Sequence, residues 1–198
     1  MYDHALFFKN KIIPLSTPLK NSIKIAPSFA LTTIHRKENT DDEKRLRNII
    51  KGLLLIAEKK QHLIFPMHPR TKKMISLFLS LEEQQLFNSH PYIHSLNPVS
   101  YLEMMYLENK ADIILTDSGG VQKEAYFYQK PCIIVRSETE WIEIVESKCG
   151  ILSDDLPNSI YQAYMKYTEN PPTAFPPVFG DGYTANFICN SIIELLKE

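Results

Sequence analysis

The chain has 198 residues, and its 22 basic and 23 acidic residues leave a formal net charge of −1. Such a balance argues against nucleic-acid-binding and membrane-surface proteins, and the length suits one large hydrophobic core. No apolar run reaches the about 20 residues that a membrane span needs. Three widely spaced cysteines, at 132, 149 and 189, favour reduced thiols over a disulfide framework or a zinc site. We therefore predict a soluble, cytoplasmic protein without a bound metal.

In chain order, residues 1–27 form a predicted lead-in with little regular structure, because Pro14, Pro18 and Pro27 interrupt it. Short apolar strands then alternate with amphipathic helices. The predicted strands are 28–33, 62–66, 92–95, 112–116, 131–135 and 150–152. The predicted helices are about 40–59, a segment after residue 70, 100–109, a segment from residue 121, 138–146, 156–168 and 183–196.

This alternation predicts an α/β fold, a doubly wound parallel sheet of the Rossmann-like kind with helices on both faces. Sheets of this kind bind ligands at the carboxyl ends of their strands. Polar clusters follow five of the predicted strands, and they contain His35, His68, Pro98, Ser118 and Arg136. Because these clusters should meet along one edge of the sheet, the pattern predicts a nucleotide site there.

The turn after the fourth predicted strand is the strongest local signal. Ser118, Gly119 and Gly120 lead into a helix, and two glycines let the backbone approach a ligand and adopt dihedrals closed to other residues. The first helix amides favour a phosphate, and Glu124, one turn later, could accept both hydroxyls of a ribose. The alternative is an ordinary N-cap by Asp117 or Ser118 before a tight turn. The local residues leave both interpretations open.

Four ordered blocks resemble the UDP-N-acetylglucosamine 2-epimerase family. The resemblance covers only the C-terminal half of that family, and Met1 matches a point in the middle of the family's sequence. It implies the C-terminal domain of a two-domain glycosyltransferase-B-like fold whose N-terminal domain is missing. The blocks are residues 33–39, 116–125, 130–141 and 179–182.

The resemblance also divides the chain. It implies an interdomain lead-in at 1–27, a Rossmann-like UDP-binding domain at 28–170, and a C-terminal crossover segment and helix at 171–198. In the family the last helix packs on the N-terminal domain. Its apolar face would be bare in this chain alone, so a homo-oligomer is a further expectation.

The activity implied by the resemblance is inversion at C2 of a UDP-amino sugar, by elimination and re-addition of UDP, for cell-surface polysaccharide precursors. No cofactor or metal is implied. The expected partners are UDP or a UDP-amino sugar and the missing N-terminal domain. Because the family's acid–base carboxylates lie in that domain, the chain alone is expected to be an inactive UDP-binding half.

Site residues follow from the resemblance position by position. His35 matches a catalytic histidine near the phosphates and the reacting sugar, although a histidine bonded to a loop carbonyl is the structural alternative. Arg136 is a nearby cation that could also be merely solvated. The substrate-binding set is Ser118, Gly119 and Gly120 for the diphosphate, Glu124 for the ribose, and Val99 and Met104 for the uracil pocket, with Arg136 beside them.

Departures from the family pattern leave other functions open. Met104, Trp141 (where some members carry Arg) and residues 65–70 resemble branches such as UDP-2,3-diacetamido-glucuronate 2-epimerases. The Asp-Ser-Gly-Gly sequence disfavours a hydrolysing epimerase. A non-catalytic nucleotide-binding fragment is a second alternative. Half of an acceptor-transferring glycosyltransferase is a third, and the motifs around His35 and Glu124 argue against it.

Overall fold

A computed structural model describes residues 1–11 and 13–197. Ile12 and Glu198, which fall in the predicted lead-in and C-terminal segment, lie outside the described residues. Six parallel strands form one sheet in the order β3-β2-β1-β4-β5-β6, which confirms the predicted fold class. The strands are β1 Phe29–Thr33, β2 His62–Pro66, β3 Ile93–Leu96, β4 Ile113–Thr116, β5 Cys132–Ile134 and β6 Gly150–Leu152.

Helices lie between the strands and at both ends of the chain. The order of strands reverses between β1 and β4, so the carboxyl ends of these two strands form the switch point of the sheet. The helices are α1 Tyr2–Phe8, α2 Thr17–Ile25, α3 Lys37–Thr40, α4 Glu43–Ala57, α5 Pro69–Phe78, α6 Leu81–Asn88, α7 Tyr101–Lys110, α8 Gly119–Phe127, α9 Ile142–Glu146, α10 Pro157–Glu169 and α11 Thr184–Leu195.

The core lies on both faces of the sheet. On one face α4 and α10 cover the strands with side chains such as Leu53 and Ile160, and on the other Leu107 and Ala125 pack from α7 and α8. All five residues of β1 are buried. Continuous burial is what a central parallel strand requires, because both of its faces carry helices.

The prediction of little regular structure before residue 28 was wrong, because α1 and α2 form there. Pro18 lies in the first turn of α2, where an amide hydrogen would have no helical partner. Leu19 is fully buried against the sheet, and Tyr2 of α1 stacks on Phe127 of α8 with ring centroids 4.5 Å apart. Tertiary packing therefore orders this segment despite its prolines.

The C-terminal segment crosses α8 before α11 begins. Tyr126 donates a hydrogen bond to the carbonyl of Pro176 at 2.5 Å. Gly182 has φ of +81°, a backbone conformation that favours glycine, and a Cβ there would also press on the Leu6 side chain. None of the described residues of α11 is buried, and its apolar side chains, Phe187 among them, face outward. The divisions at 27/28 and 170/171 stay predictions.

Candidate functional site

The loops after β1 and β4 meet at the switch point. Thr33 and Thr116 are partners across the two strands, and their buried hydroxyl oxygens are 2.6 Å apart. The chain therefore places the predicted polar clusters of His35 and Ser118 side by side, as the strand pattern indicated.

Asp117 joins these two loops. Its side chain is 0% exposed and accepts hydrogen bonds from the backbone amides of His35, at 3.0 Å, and Arg36, at 2.9 Å. The side-chain amide of Asn39 adds a third, at 3.2 Å. A buried carboxylate needs such donors, and here they fix the backbone of the first loop against the second. Sequence reasoning considered Asp117 only as a helix cap and missed this role.

Ser118 is the N-cap of α8. Its Oγ accepts from the Val121 amide at 3.5 Å, and its own amide donates to the Thr116 hydroxyl at 2.9 Å. Gly119 and Gly120 are the first two helical residues, so their amides precede the first intrahelical hydrogen bond. The two interpretations of this turn are therefore compatible, because the cap satisfies the Val121 amide and leaves two others for an anion.

Gly119 and Gly120 do not use the backbone dihedrals that are closed to other residues. Neither has a positive φ. At Gly119 the reason for glycine is space, because a Cβ would lie 3.3 Å from the Glu140 carboxylate and 3.4 Å from the Trp141 indole nitrogen. That nitrogen donates to the Gly119 carbonyl at 2.8 Å, so Trp141 packs on the first turn of α8.

Two arginines stand beside this helix end. Glu140 accepts from Arg36 at 3.1 Å and from Arg136 at 2.6 Å, and the Arg136 hydrogen bond in particular lowers the pKa of Glu140 to about 2. With Asn39, they line an open polar cavity of about 470 Å³. The Glu140 carboxylate offsets one of the two positive charges, and the one that remains adds to the field of the helix end. Sequence reasoning named Arg136 but not Arg36 as a site residue.

Among the described residues, none forms a hydrogen bond with the His35 ring. The ring nitrogen Nδ1 is 3.7 Å from the Asp117 carboxylate, and the side chain is 40% exposed. Its neighbour is the His68 ring, with centroids 5.8 Å apart. His68 itself caps α5 by accepting from the Arg70 amide, so it has a structural role. The His35 imidazole remains available to a ligand at the switch point.

The remaining predicted residues lie along α7 and α8. Glu124 is one turn into α8, and its Oε1 accepts from the Tyr101 hydroxyl at 3.2 Å. Burial is the main cause that raises the pKa of Glu124 above its ordinary value. Val99 and Met104 are partly buried against the core beneath α7 and α8. Glu124 therefore lies on the side of α8 that meets the first residue of α7.

The part of the chain that the structure describes contains no cluster of three or more His, Cys, Asp or Glu side chains that could hold a metal ion. Over the same residues, no helix is both long and apolar enough to cross a membrane.

Comparison with known proteins agrees with this geometry. A family model described as UDP-N-acetylglucosamine 2-epimerase matches residues 1–193. A UDP-N-acetylglucosamine 2-epimerase homolog of Methanococcus maripaludis is 36% identical over 199 residues, covering 100% of this chain and 53% of that protein. The UDP-2,3-diacetamido-2,3-dideoxy-D-glucuronate 2-epimerase of Pseudomonas aeruginosa is 40% identical over 153 residues, covering 77% and 39%.

A solved structure shows the same fold. The UDP-GlcNAc 2-epimerase of Methanocaldococcus jannaschii, in complex with UDP-GlcNAc and UDP, superposes with a TM-score of 0.81 at 32% identity, covering 98% of this chain and 52% of that one. The chain spans about half the length of the first relative, 53% of it. By its sequence, its fold and these matches, this chain belongs to the UDP-N-acetylglucosamine 2-epimerase family.

Proposed function

We propose that this chain binds UDP, as the nucleotide-binding half of a UDP-N-acetylglucosamine 2-epimerase. The observation that carries the proposal is the end of α8, where Ser118 caps one amide and the amides of Gly119 and Gly120 stay free. A helix N-terminus with free amides is a site for phosphate groups. Arg36 and Arg136 stand beside it, and together with the Glu140 carboxylate that both of them contact they carry one net positive charge for a diphosphate.

The direction of α8 determines the orientation that we propose for the UDP-sugar. With the diphosphate on the first turn of α8, the ribose would lie toward Glu124, one turn further along. The uracil would then lie toward Val99 and Met104, which pack beside α7. The sugar would lie on the opposite side of the diphosphate, toward the exposed ring of His35.

The proposed reaction inverts C2 of a UDP-amino sugar. A base removes the C2 proton while the C1–O bond to UDP breaks, and UDP then adds back to C1 as a proton returns to the opposite face of C2; the resemblance places these acid–base groups in the N-terminal half of the family. Departure of UDP places a new negative charge on the diphosphate. Donors that already point at that position stabilise this charge without rearrangement, which is how a fixed helix end and its arginines accelerate such a step. The His35 imidazole could donate a hydrogen bond to the same leaving group, and we assign it that role.

A second candidate substrate is UDP-2,3-diacetamido-glucuronate, the class on which the Pseudomonas aeruginosa relative is named to act. The observation that favours it is Trp141, whose indole bonds the Gly119 carbonyl and covers the first turn of α8 where some members carry Arg. The affinities of the two sugar nucleotides, measured by calorimetry against UDP as competitor, discriminate between the candidates. Tighter binding of the sugar acid would favour the second.

The binding proposal predicts a ranking of ligands. Calorimetry should give an affinity for UDP well above that for UMP, and for UMP above uridine, because the helix end binds the phosphates. Glu124→Ala should weaken UDP binding by about 1–3 kcal/mol, the range for losing charge-assisted hydrogen bonds.

Glu58→Ala is the matched control, since this glutamate is exposed at the end of α4 and should leave the affinity unchanged. Equal affinities for uridine, UMP and UDP would refute the proposed site.

A further inference from the structure

Glu108 is the most deeply buried carboxyl group near the site, and the proposed function does not use it. It lies on α7, its residue is 0% exposed, and neither of its carboxyl oxygens has a hydrogen-bond partner among the described residues. An ionised carboxylate without donors is costly in an apolar interior, so such a group keeps its proton. Burial, and secondly the charge of Glu124, raise the pKa of Glu108 well above its ordinary value.

The neighbouring acid is Glu124 of α8. Glu124 is the acid that acts on Glu108, and the Glu108 oxygens accept from no described donor, so a hydrogen bond between the two carboxyl groups forms only when one of them is protonated. Glu108 is the more buried of the two, because Glu124 is only partly covered and already accepts from the Tyr101 hydroxyl. The shared proton therefore belongs on Glu108, and the negative charge on Glu124.

The other titratable groups around the pair do not compete for this proton. Tyr101 of α7 has its pKa raised to about 12, chiefly by burial. Tyr128, after α8, and Cys132 of β5 also have their pKa raised, again chiefly by burial. On the α1 side, His4 and the Met1 amino group act on Glu124 and favour its ionised form. Glu108 thus faces neutral groups and one carboxylate.

We propose that Glu108 is a positioning residue, which donates its carboxyl hydrogen to Glu124 and holds that carboxylate for the two ribose hydroxyls. A carboxylate has about four acceptor positions, and Tyr101 and Glu108 occupy two of them. The rest match the 2′- and 3′-hydroxyls of a ribose. This inference rests on the proposed function, because it gives Glu124 the ribose.

The inference has a pH dependence. When the pH rises through the pKa of Glu108, the pair gains a second negative charge and loses its hydrogen bond. The affinity for UDP should therefore fall from neutral to alkaline pH. The measurement is kept to mildly alkaline pH, below the ionisation of the Tyr101 hydroxyl and of the uracil N3–H of UDP, because loss of that uracil proton would weaken binding by itself.

The raised pKa of Glu108 also makes the free energy of unfolding depend on pH, with a sign that can be predicted. Above the ordinary pKa of glutamate the unfolded chain releases a proton that the folded chain keeps. The free energy of unfolding thus falls as pH rises, until Glu108 ionises in the folded state.

The test uses Glu108→Gln and Glu108→Leu in the full chain. Infrared spectra at neutral pH should show a protonated carboxylic acid in the wild type that Glu108→Gln lacks. Calorimetry with UDP should show that Glu108→Gln, which keeps a donor, binds as the wild type does at neutral pH but without the alkaline decline. Glu108→Leu has no donor and should bind roughly tenfold more weakly. A 2′,3′-dideoxy analogue of UDP should show no such difference between the variants.

The outcomes separate the two proposals. If the wild type fails to bind UDP, the proposed function is overturned, and the ribose role of Glu108 with it. If UDP binds but the protonated acid is absent, or Glu108→Gln keeps the full alkaline decline, only the inference about Glu108 is overturned. A purely structural role would weaken binding in both variants and leave the pH profile unchanged, which also overturns it.

Discussion

Replacing Gly120 by aspartate is expected to abolish UDP binding while leaving the fold intact. Gly120 is exposed, and a Cβ there would meet only the Ser118 hydroxyl, at 3.8 Å, so the larger side chain fits. An acidic side chain in the first turn also stabilises a helix, by roughly 0.3–1 kcal/mol. The same carboxylate would stand where the diphosphate is proposed to bind.

The expected loss is large because the two charges have the same sign. Two unit charges 4 Å apart near a protein surface interact by about 4 kcal/mol. Even half of that repulsion would lower the affinity by more than about tenfold, and the full value by about a thousandfold. Calorimetry with UDP measures the loss, and thermal unfolding of the same sample shows whether the fold survives.

Gly120→Ala is the matched control, since it adds the Cβ without the charge and should bind UDP nearly as the wild type does. Gly119→Ala should differ from both, because its Cβ would press on Glu140 and Trp141. Wild-type affinity in Gly120→Asp would place the diphosphate elsewhere and refute the proposed site.

Asp117→Ala is expected to cause the largest loss of stability among single changes at the site. It would leave the amides of His35 and Arg36 without their acceptor, and the side-chain nitrogen of Asn39 would keep its hydrogen bond to the Val135 carbonyl, at 2.8 Å. Each buried donor left unpaired costs about 1–3 kcal/mol, so we expect a total of about 3 kcal/mol or more. Urea unfolding measures this difference in the free energy of unfolding.

The control for this change is Asp112→Ala. Asp112 is exposed, and its only side-chain hydrogen bond among the described residues is from the Ser28 hydroxyl, at 2.6 Å. Its loss should change the free energy of unfolding by no more than about 0.5 kcal/mol. Similar losses in the two variants would mean that Asp117 does not hold the two loops together.

Local patterns in the sequence were enough to predict the parallel sheet and the edge of the sheet that carries the candidate site. The apolar strands recur with helices between them, and a parallel sheet buried on both faces follows from that alternation. Polar residues after the strands then had to meet at one edge, where the structure places His35 beside Ser118. The role of Ser118 as N-cap was also open to sequence reasoning, because a cap is set by residues within one turn.

Segments without a clear local signal were predicted poorly. The prolines of residues 1–27 indicated irregular structure, yet burial of Leu19 against the sheet orders α2. No separate helix is predicted at residues 81–88, but Ser80 and Glu83 form a capping box and α6 begins there, so a local signal was present and was missed. In the first case tertiary packing outweighed a weak local preference.

Only the tertiary structure decided how the site is held together. Asp117 meets the amide of His35 across 82 positions of the chain, Glu140 meets Arg36 across 104, and Trp141 meets Gly119 across 22. Residue types and their spacing do not predict such pairs, because the pairs form only when strands distant in sequence become neighbours in the sheet. The proposed pairing of Glu108 with Glu124 has the same origin, since burial, which raises the pKa of Glu108, results from the packing of the helices and from nothing in its own segment.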